Sequence, residues 1–375
     1  MTTVTPELTA FNYFKTYYNA YSLYVNSLPY PDLGWEKTKT YNLGIDAAFL
    51  KGRLNFNFNY YKKDSDVLAA RGVALEVGVK NGIVAGTKME NSGYDVIVNV
   101  VPVKTKDFTW QFSVNTGVAK NKVTNNNQMN EVPNYLKGSA IVPGEAYSTF
   151  YSFQMKGLDP VHGQPLFAHI DLEEGEDNTN FNDPTGFLVK SGKFTPDFSG
   201  GFSTSFKYKD LTFSALFAVQ WGGHNRIPSP FNHADNSGKL KSPEYNVSRK
   251  VMNRWKKPGD EAYTDIPALP LNNEGSLTIP LTLTSQKRTM YRYNMYQQSD
   301  ALIGSTDMIR CRQIALSYDL NREFLKRYGV SRMQLKASMT NPFMWVRDSK
   351  WDGLDPETAN WPARRTTSLS LQVMF

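Results

Sequence analysis

The chain has 375 residues, 13% of them aromatic and 21% charged, and its formal net charge is +7. This aromatic content excludes disorder as the main state, and no run of about 18 apolar residues exists that could form a membrane-spanning helix. Lysine and arginine are spread along the chain and form no single basic stripe, so nucleic-acid binding is not expected. A β-rich soluble protein or a transmembrane β-barrel remains.

The dominant pattern is alternation of apolar and polar residues. It is clear at 54–60, where four apolar side chains alternate with three asparagines, and it recurs at 108–118, 211–221 and 369–375. Soluble strands usually have about 5–6 residues. Several of these runs have about 9–11 residues, the length that crosses a bilayer at a tilt. The pattern favours spanning strands with one face toward lipid.

About eleven strands are predicted from this pattern. They are 41–50, 54–62, 93–101, 108–118, 147–156, 164–171, 200–208, 211–221, 306–320, 332–341 and 367–375. The connections between them are alternately short and long, and the long ones are 63–92, 119–146, 172–199, 222–305 and 342–366. Outer-membrane barrels have short periplasmic turns and long outer loops. The sequence therefore predicts an all-β transmembrane antiparallel β-barrel.

Two connections carry helix signals. Ser242 and Pro243 predict the start of a short helix that ends near Trp255, because a serine cap followed by proline favours a helix N-terminus. Residues 321–329 predict one helical turn that begins at an asparagine and stops at a glycine.

The candidate binding residues are tryptophans and one aspartate in the long connections. Trp345, Trp351, Asp352 and Trp361 belong to one predicted outer loop, and Trp255 belongs to another. Planar aromatic rings beside polar groups suit the faces and hydroxyls of sugars, or they anchor a partner protein. The alternative is that these tryptophans pack their loops onto the mouth of the barrel.

No catalytic residue, cofactor or metal site is predicted. The sequence contains no nucleophile elbow, P-loop or dinucleotide-binding fingerprint. Its four histidines, His162, His169, His224 and His233, lack ligand spacing. The acidic segment 171–183 could hold a calcium ion but does not follow an EF-hand, so a solvated loop is preferred.

Short stretches along the chain carry a resemblance to a known family. They are 31–38, 42–46, 52–62, 90–95, 192–201, 253–260, 305–312 and 368–375. In order and spacing they resemble the C-terminal portion of the SusC/RagA group of TonB-linked outer-membrane transporters of Bacteroidetes. The match covers residues 28–375, with an aspartate at Asp95 where the family has glutamate.

The resemblance implies a fold and partners. The family has a barrel of about 22 strands, so this chain would supply roughly half of it. No stretch resembles a plug domain, a TonB box or a signal peptide, so the remaining N-terminal half and the plug are expected elsewhere in the gene or in a separate chain. Energised uptake of glycans or peptides, a SusD-like surface lipoprotein and TonB acting through the plug are implied. Phe375 resembles the signal read by the outer-membrane assembly machinery.

Two other functions stay open at the level of the residues. A soluble β-sandwich that binds carbohydrate would also contain alternating strands, and it would bury the 54–60 apolar face against a second sheet. A passive porin-like channel would share the barrel wall and differ in the absence of a plug. The predicted location is the outer membrane of a Gram-negative bacterium, in contact with the lipid bilayer.

Overall fold

The computed structural model describes residues 7–10, 23–27, 34–72, 81–126, 130–168, 186–231, 248–269, 276–280, 287–320, 327 and 329–375. In chain order the strands are β1 (Glu7–Ala10), β2 (Leu23–Ser27), β3 (Lys37–Phe49), β4 (Leu54–Gly72), β5 (Asn81–Lys104), β6 (Phe108–Asn125), β7 (Thr149–Phe153), β8 (Met155–Leu158), β9 (Pro165–Phe167), β10 (Leu188–Lys193), β11 (Phe198–Tyr208), β12 (Leu211–Trp221), β13 (His224–Arg226), β14 (Ser276–Pro280), β15 (Lys287–Tyr291), β16 (Ile303–Ser305), β17 (Met308–Asp319), β18 (Arg332–Thr340), β19 (Met344–Val346) and β20 (Thr366–Met374). The helices are α1 (Val132–Lys137) and α2 (Arg292–Gln297), and short 3₁₀ turns span Arg249–Asn253, Asp260–Ala262, Asp300–Leu302 and Ser349–Trp351. The predicted all-β fold class is confirmed.

The main sheet has ten antiparallel strands in the order β20-β18-β17-β12-β11-β6-β5-β4-β3, with β19 paired to β17 beyond the end of β18. Each long strand pairs with the long strands before and after it in the chain, which is the meander of an outer-membrane barrel wall. Among the described strands, β3 and β20 each have a neighbour on one side only. The sheet is therefore an open segment of wall.

The two faces of the sheet differ as the alternation predicts. On one face Phe202 lies opposite Phe217, and their rings stack with centroids 4.5 Å apart. On the other face Ser203 lies opposite Ser113, whose hydroxyl donates to the Asn99 side chain over 2.6 Å. A one-residue shift of register would exchange the faces, so this pairing fixes which side meets lipid.

Two of the predicted spanning strands were misplaced. Segments 147–156 and 164–171 supply β7, β8 and β9, which pair in two small sheets apart from the main one. In β7 four of five residues are buried, so both of its faces pack against protein. Residues 169–171 lie outside the described residues. The wall thus has nine long strands where about eleven were predicted.

The predicted loop 63–92 is largely strand. β4 and β5 stay paired as far as Gly72 opposite Asn81, well beyond the length that crosses a bilayer. The ladder between these strands has one register shift, between Val67 and Ala69, and it satisfies most backbone groups of residues 63–72 and 81–92. Lys62 pairs with Glu90 across it over 3.1 Å. The described parts of β4 and β5 therefore extend beyond the membrane as a paired ribbon.

The described parts of the two longest connections, 126–197 and 222–307, pack together into a body that we call the outer cap. Its buried core joins α1, β7 and β9 from the first connection to α2 from the second. The core residues are Val132, Leu136, Phe153, Phe167, Phe187, Phe231, Tyr293, Met295, Tyr296 and Leu302.

The short turns 50–53, 105–107 and 209–210 lie at the opposite ends of the strands. By the rule for such barrels, the cap is outside the cell and the turns are periplasmic.

Among the described residues, none of the helices is long and apolar enough to cross a membrane. The predicted helix start at Ser242 and most of the predicted turn at 321–329 lie outside the described residues.

Candidate functional site

The last outer loop, residues 347–365 between β19 and β20, is attached to the wall by a buried ion pair. Arg310 of β17 is 3% exposed, and its Nη2 lies 2.6 and 2.7 Å from the two carboxylate oxygens of Asp355. A β-bulge next to this position leaves Arg312 as the extra residue of β17. The bulge places Arg310 opposite Ala218 on the polar face, where the loop can reach it.

Further contacts fix the loop at its start. Arg347 pairs with Asp307 over 3.1 Å, and the Trp351 indole N–H donates to the Ser305 carbonyl over 2.7 Å. The Asp348 carboxylate accepts from the Ser305 backbone N–H over 3.0 Å. These bonds place the loop over the junction between the outer cap and the main sheet.

A pocket of about 380 Å³ lies between this loop and the wall. It is lined by Arg310, Asn341, Phe343, Met344, Val346, Asp348, Ser349, Trp351, Asp352, Gly353, Leu354, Pro362, Ala363 and Arg365. The Nε of Arg310 is buried there and has no hydrogen-bond partner among the described residues. An apolar floor with a few convergent polar groups is typical of sites for small organic ligands.

The structure brings together two of the five predicted binding residues. Trp351 and Asp352 both line this pocket, but Trp351 is only 1% exposed and chiefly packs the loop. Asp352 is exposed and has a left-handed backbone with φ of 48°. Trp361 is 80% exposed, next to the pocket residue Pro362.

Trp345 lies elsewhere. It pairs with Ile309 at the outer end of β17, and its ring stacks on Trp221 with centroids 6.1 Å apart. Both rings continue the apolar face of the sheet, so they occupy the position of an interfacial aromatic girdle. This placement supports packing or lipid contact for Trp345 and no role in the pocket.

Trp255 is buried in the outer cap. It is 7% exposed, its ring covers Gly163, and its indole N–H donates to Glu261 over 2.9 Å. The sequence left ligand or partner contact and loop packing as alternatives for Trp255, and its burial favours packing.

Arg226 holds the outer cap together. Its guanidinium donates to the Ser152 hydroxyl and to the carbonyls of Leu136 and Tyr151, over 2.6 to 3.0 Å. It also lies over the Phe150 ring at 5.1 Å. Burial lowers the pKa of Arg226 to about 10, so the side chain remains a cation at neutral pH.

Sequence reasoning missed Arg310 and Asn341. The signal for Arg310 was a charged residue inside an otherwise apolar stretch of strand, at 308–311. Nothing in the sequence linked it to Asp355, 45 residues away. Within the described residues, no group of three or more His, Cys, Asp or Glu side chains could hold a metal ion. His169, His233 and the acidic segment 171–183 lie outside the described residues.

Comparison with known proteins identifies the chain's relatives. It is 27% identical to TonB-dependent receptor P39 of Formosa agariphila over 88% of this chain, and 26% identical to TonB-dependent receptor SusC of Bacteroides thetaiotaomicron over 92%. The chain is a relative of the SusC/RagA group of TonB-dependent receptors. It spans about a third of the length of these curated relatives, 33% and 32% respectively. A scan against protein-family models found no match.

Solved structures of the RagAB transporter agree with this fold. The structure of the RagAB peptide transporter matches 98% of this chain and 38% of its own, with a TM-score of 0.71 and 19% identity. The RagAB peptide importer in its closed-closed state gives a TM-score of 0.69. The barrel-wall fold of this SusC/RagA relative is therefore confirmed. Its location is the outer membrane of a Gram-negative bacterium, as predicted.

Proposed function

We propose that this chain is the C-terminal part of the barrel of a TonB-dependent outer-membrane importer of glycans or peptides. The observation that carries the proposal is a meander of long strands, apolar on one face, in a sequence related to TonB-dependent receptors over most of its length. The chain supplies wall, outer cap and outer loops. It makes and breaks no chemical bond, which agrees with the lack of any catalytic motif in its sequence.

The pocket under the last loop contacts the imported solute. Asp352, Asn341 and Arg365 offer both donors and acceptors there, which suits sugar hydroxyls or peptide groups. Trp361, exposed beside the pocket, adds a flat apolar surface for a sugar ring or a side chain.

The partners follow from the proposed assembly. The rest of the barrel pairs with the free edges of β3 and β20, because an unpaired strand edge in lipid costs several kcal/mol per backbone group. A SusD-like lipoprotein covers the outer cap, and TonB acts on a plug outside residues 1–375. Phe375, 91% exposed after β20, is read by the assembly machinery.

The two alternatives fit the observations less well. In a β-sandwich the apolar face would be covered by a second sheet, whereas Leu369 and Leu371 are 74% and 59% exposed. A passive channel would not need TonB, and the sequence relatives are named as TonB-dependent receptors.

The test is energised uptake by the complete receptor. A strain that lacks the receptor gene is complemented and grown on a panel of single glycans and peptides as the limiting nutrient. We expect growth on at least one of them that disappears when TonB is deleted. Uptake that persists without TonB would establish the passive channel instead.

A further inference from the structure

Four lysines from separate parts of the sequence meet on one face of the main sheet, at the end that carries the outer cap. They are Lys39 of β3, Lys62 of β4, and Lys120 and Lys122 of β6, and we call them the outer-rim lysines. In the register, Ser92 of β5 lies between Lys62 and Lys120. The sequence shows no basic stripe, because only the pairing of the strands brings these residues together.

The outer-rim lysines lie on the apolar face, which is the side that meets lipid. In β3 and β4 the outermost aromatic residues of this face are Tyr41 and Tyr60, and Lys39 and Lys62 are the next residues outward on it. Tyr94 of β5 lies opposite Tyr60, and all three tyrosines are exposed. Such a row is typical of the aromatic girdle at a membrane–water interface. The two lysines therefore lie on the water side of the girdle, level with the lipid headgroups.

The length of β6 gives the same position for its two lysines. The largely apolar stretch of this face runs from Phe108 to Val118, about 33 Å along the strand at about 3.3 Å per residue. At a tilt of about 40° it covers about 25 Å of the membrane normal, the height of the apolar band in outer-membrane barrels. Lys120 and Lys122 are the next two residues outward on the face, so both lie just outside the hydrocarbon.

The surface around these lysines is cationic. Lys62 lies 3.1 Å from Glu90, and none of the other three outer-rim lysines, all exposed, has an ion pair among the described residues. Asp64, opposite Lys39, is the second carboxylate at this level of the face. Four lysines against two carboxylates leave a net positive charge, so the surface attracts anions.

The layout of the surface fits a phosphorylated lipid headgroup. Lys62 and Lys120 are two strands apart, roughly 10 Å at about 4.8 Å per strand, and Lys122 is roughly 7 Å farther along β6. An area of this size matches a phosphorylated disaccharide and exceeds a single phosphate ion. Below the lysines, the rings of Phe58 and Tyr94 stack with centroids 6.3 Å apart, so the same surface offers an apolar wall to acyl chains.

We propose that the outer-rim lysines bind the phosphate groups of lipid A, the glycolipid of the outer leaflet, on the outside of the barrel wall. Basic side chains at a membrane surface attract anionic headgroups, and the outer leaflet of a Gram-negative outer membrane is built from this phosphorylated glycolipid. The inference rests on the proposed function, since it needs a barrel wall with the outer cap outside the cell. The bound lipid is distinct from the imported solute, which passes along the opposite face of the sheet.

The test is binding of lipid A to the complete receptor, purified in detergent and stripped of lipid. Native mass spectrometry counts the lipid A molecules bound per receptor as lipid A with both phosphates is titrated in. We expect K120Q/K122Q to weaken binding by about twenty-five-fold, about fivefold for each lysine removed. The matched control is K63Q/K336Q, which removes the same charge from the polar face and should bind lipid A like the unchanged receptor. Heat-dependent gel mobility checks that both variants are folded.

Three results would overturn the proposal. The first is equal affinity of K120Q/K122Q and the unchanged receptor for lipid A. The second is equal affinity of the unchanged receptor for lipid A with and without its phosphates, because the lysines would then recognise no charge. The third is a receptor oligomer that dissociates in K120Q/K122Q with lipid A binding unaltered, which would make the surface a contact between copies. Because uptake is not measured, a receptor that binds lipid A and fails to import would contradict the proposed function alone.

Discussion

The Nη2 of Arg310 lies within 2.8 Å of both carboxylate oxygens of Asp355, at 2.6 and 2.7 Å, although the two residues are 45 positions apart in the chain. Arg310 also reaches Glu357 over 3.2 Å, but that carboxylate is 44% exposed. The pair joins the last outer loop to the barrel wall, so the shape of the pocket beneath the loop depends on it.

Asp355→Asn should release this loop. Removing one partner of a buried pair leaves the other charge uncompensated and costs about 3–5 kcal/mol. Hydrogen exchange of the amides in 348–362 of the complete receptor should accelerate at least about a hundred-fold. Glu357→Gln is the matched control, because an exposed pair contributes about 0–1 kcal/mol. Equal exchange rates in the two variants would show that the ion pair at Asp355 does not hold the loop.

Trp361→Ala and Trp351→Ala should separate binding from packing. Trp361 is 80% exposed, so its loss should leave the melting temperature unchanged and weaken uptake. Trp351 is 1% exposed, and its loss should cost about 3–5 kcal/mol of loop stability. The measurements are concentration-dependent uptake and thermal unfolding of the complete receptor in detergent. Unchanged uptake in Trp361→Ala would remove this residue from the binding site.

Phe202→Arg should reduce the folded fraction of the receptor more than Ser203→Arg, although the two positions are adjacent. Phe202 lies on the apolar face near the middle of β11, where arginine costs about 2–4 kcal/mol in lipid. Ser203 points to the polar face, where arginine can remain in water. The folded fraction is measured from the heat-dependent gel mobility of the receptor in isolated outer membranes. Equal losses would mean that the apolar face does not meet lipid.

Gly163→Ala should destabilise the outer cap more than Gly259→Ala. Both glycines have positive φ, of 66° and 99°, so alanine strains the backbone in either case. At Gly163 an added Cβ would also lie 2.3 Å from the Trp255 ring, whereas Gly259 has open space. Overpacking should add about 1–3 kcal/mol at Gly163. Protease cleavage within 130–168 measures the difference, and equal cleavage would show that the Trp255 contact is loose.

Residues 1–375 alone should not insert stably when exported in a Gram-negative host. The edges of β3 and β20 would each leave unpaired backbone groups in lipid. We expect a protease-sensitive product that becomes resistant when the rest of the barrel is co-expressed. A protease-resistant, heat-modifiable band from this chain by itself would show that it closes without a partner.

The wall of this protein was predictable from its sequence because its cause is local. In a strand, successive side chains point to opposite faces, so a water-facing and a lipid-facing surface impose alternation on the chain itself. Nine of the eleven predicted strands, all except 147–156 and 164–171, follow from that period, as does the placement of Phe202 and Ser203 on opposite faces. The free edges of the sheet were expected from the resemblance to a larger barrel.

Only the tertiary structure decided the arrangement of the outer loops. Segment 147–156 has the composition of a strand. Its contacts with α1 and β10 place it in the outer cap and not in the main sheet, and the periodicity of the sequence does not reveal these contacts. In the same way Trp255 and Trp361 look alike in the sequence, yet one is buried against Gly163 and the other is exposed. Contacts such as Arg310 with Asp355 join distant segments, and their energy depends on packing that no short stretch of sequence contains.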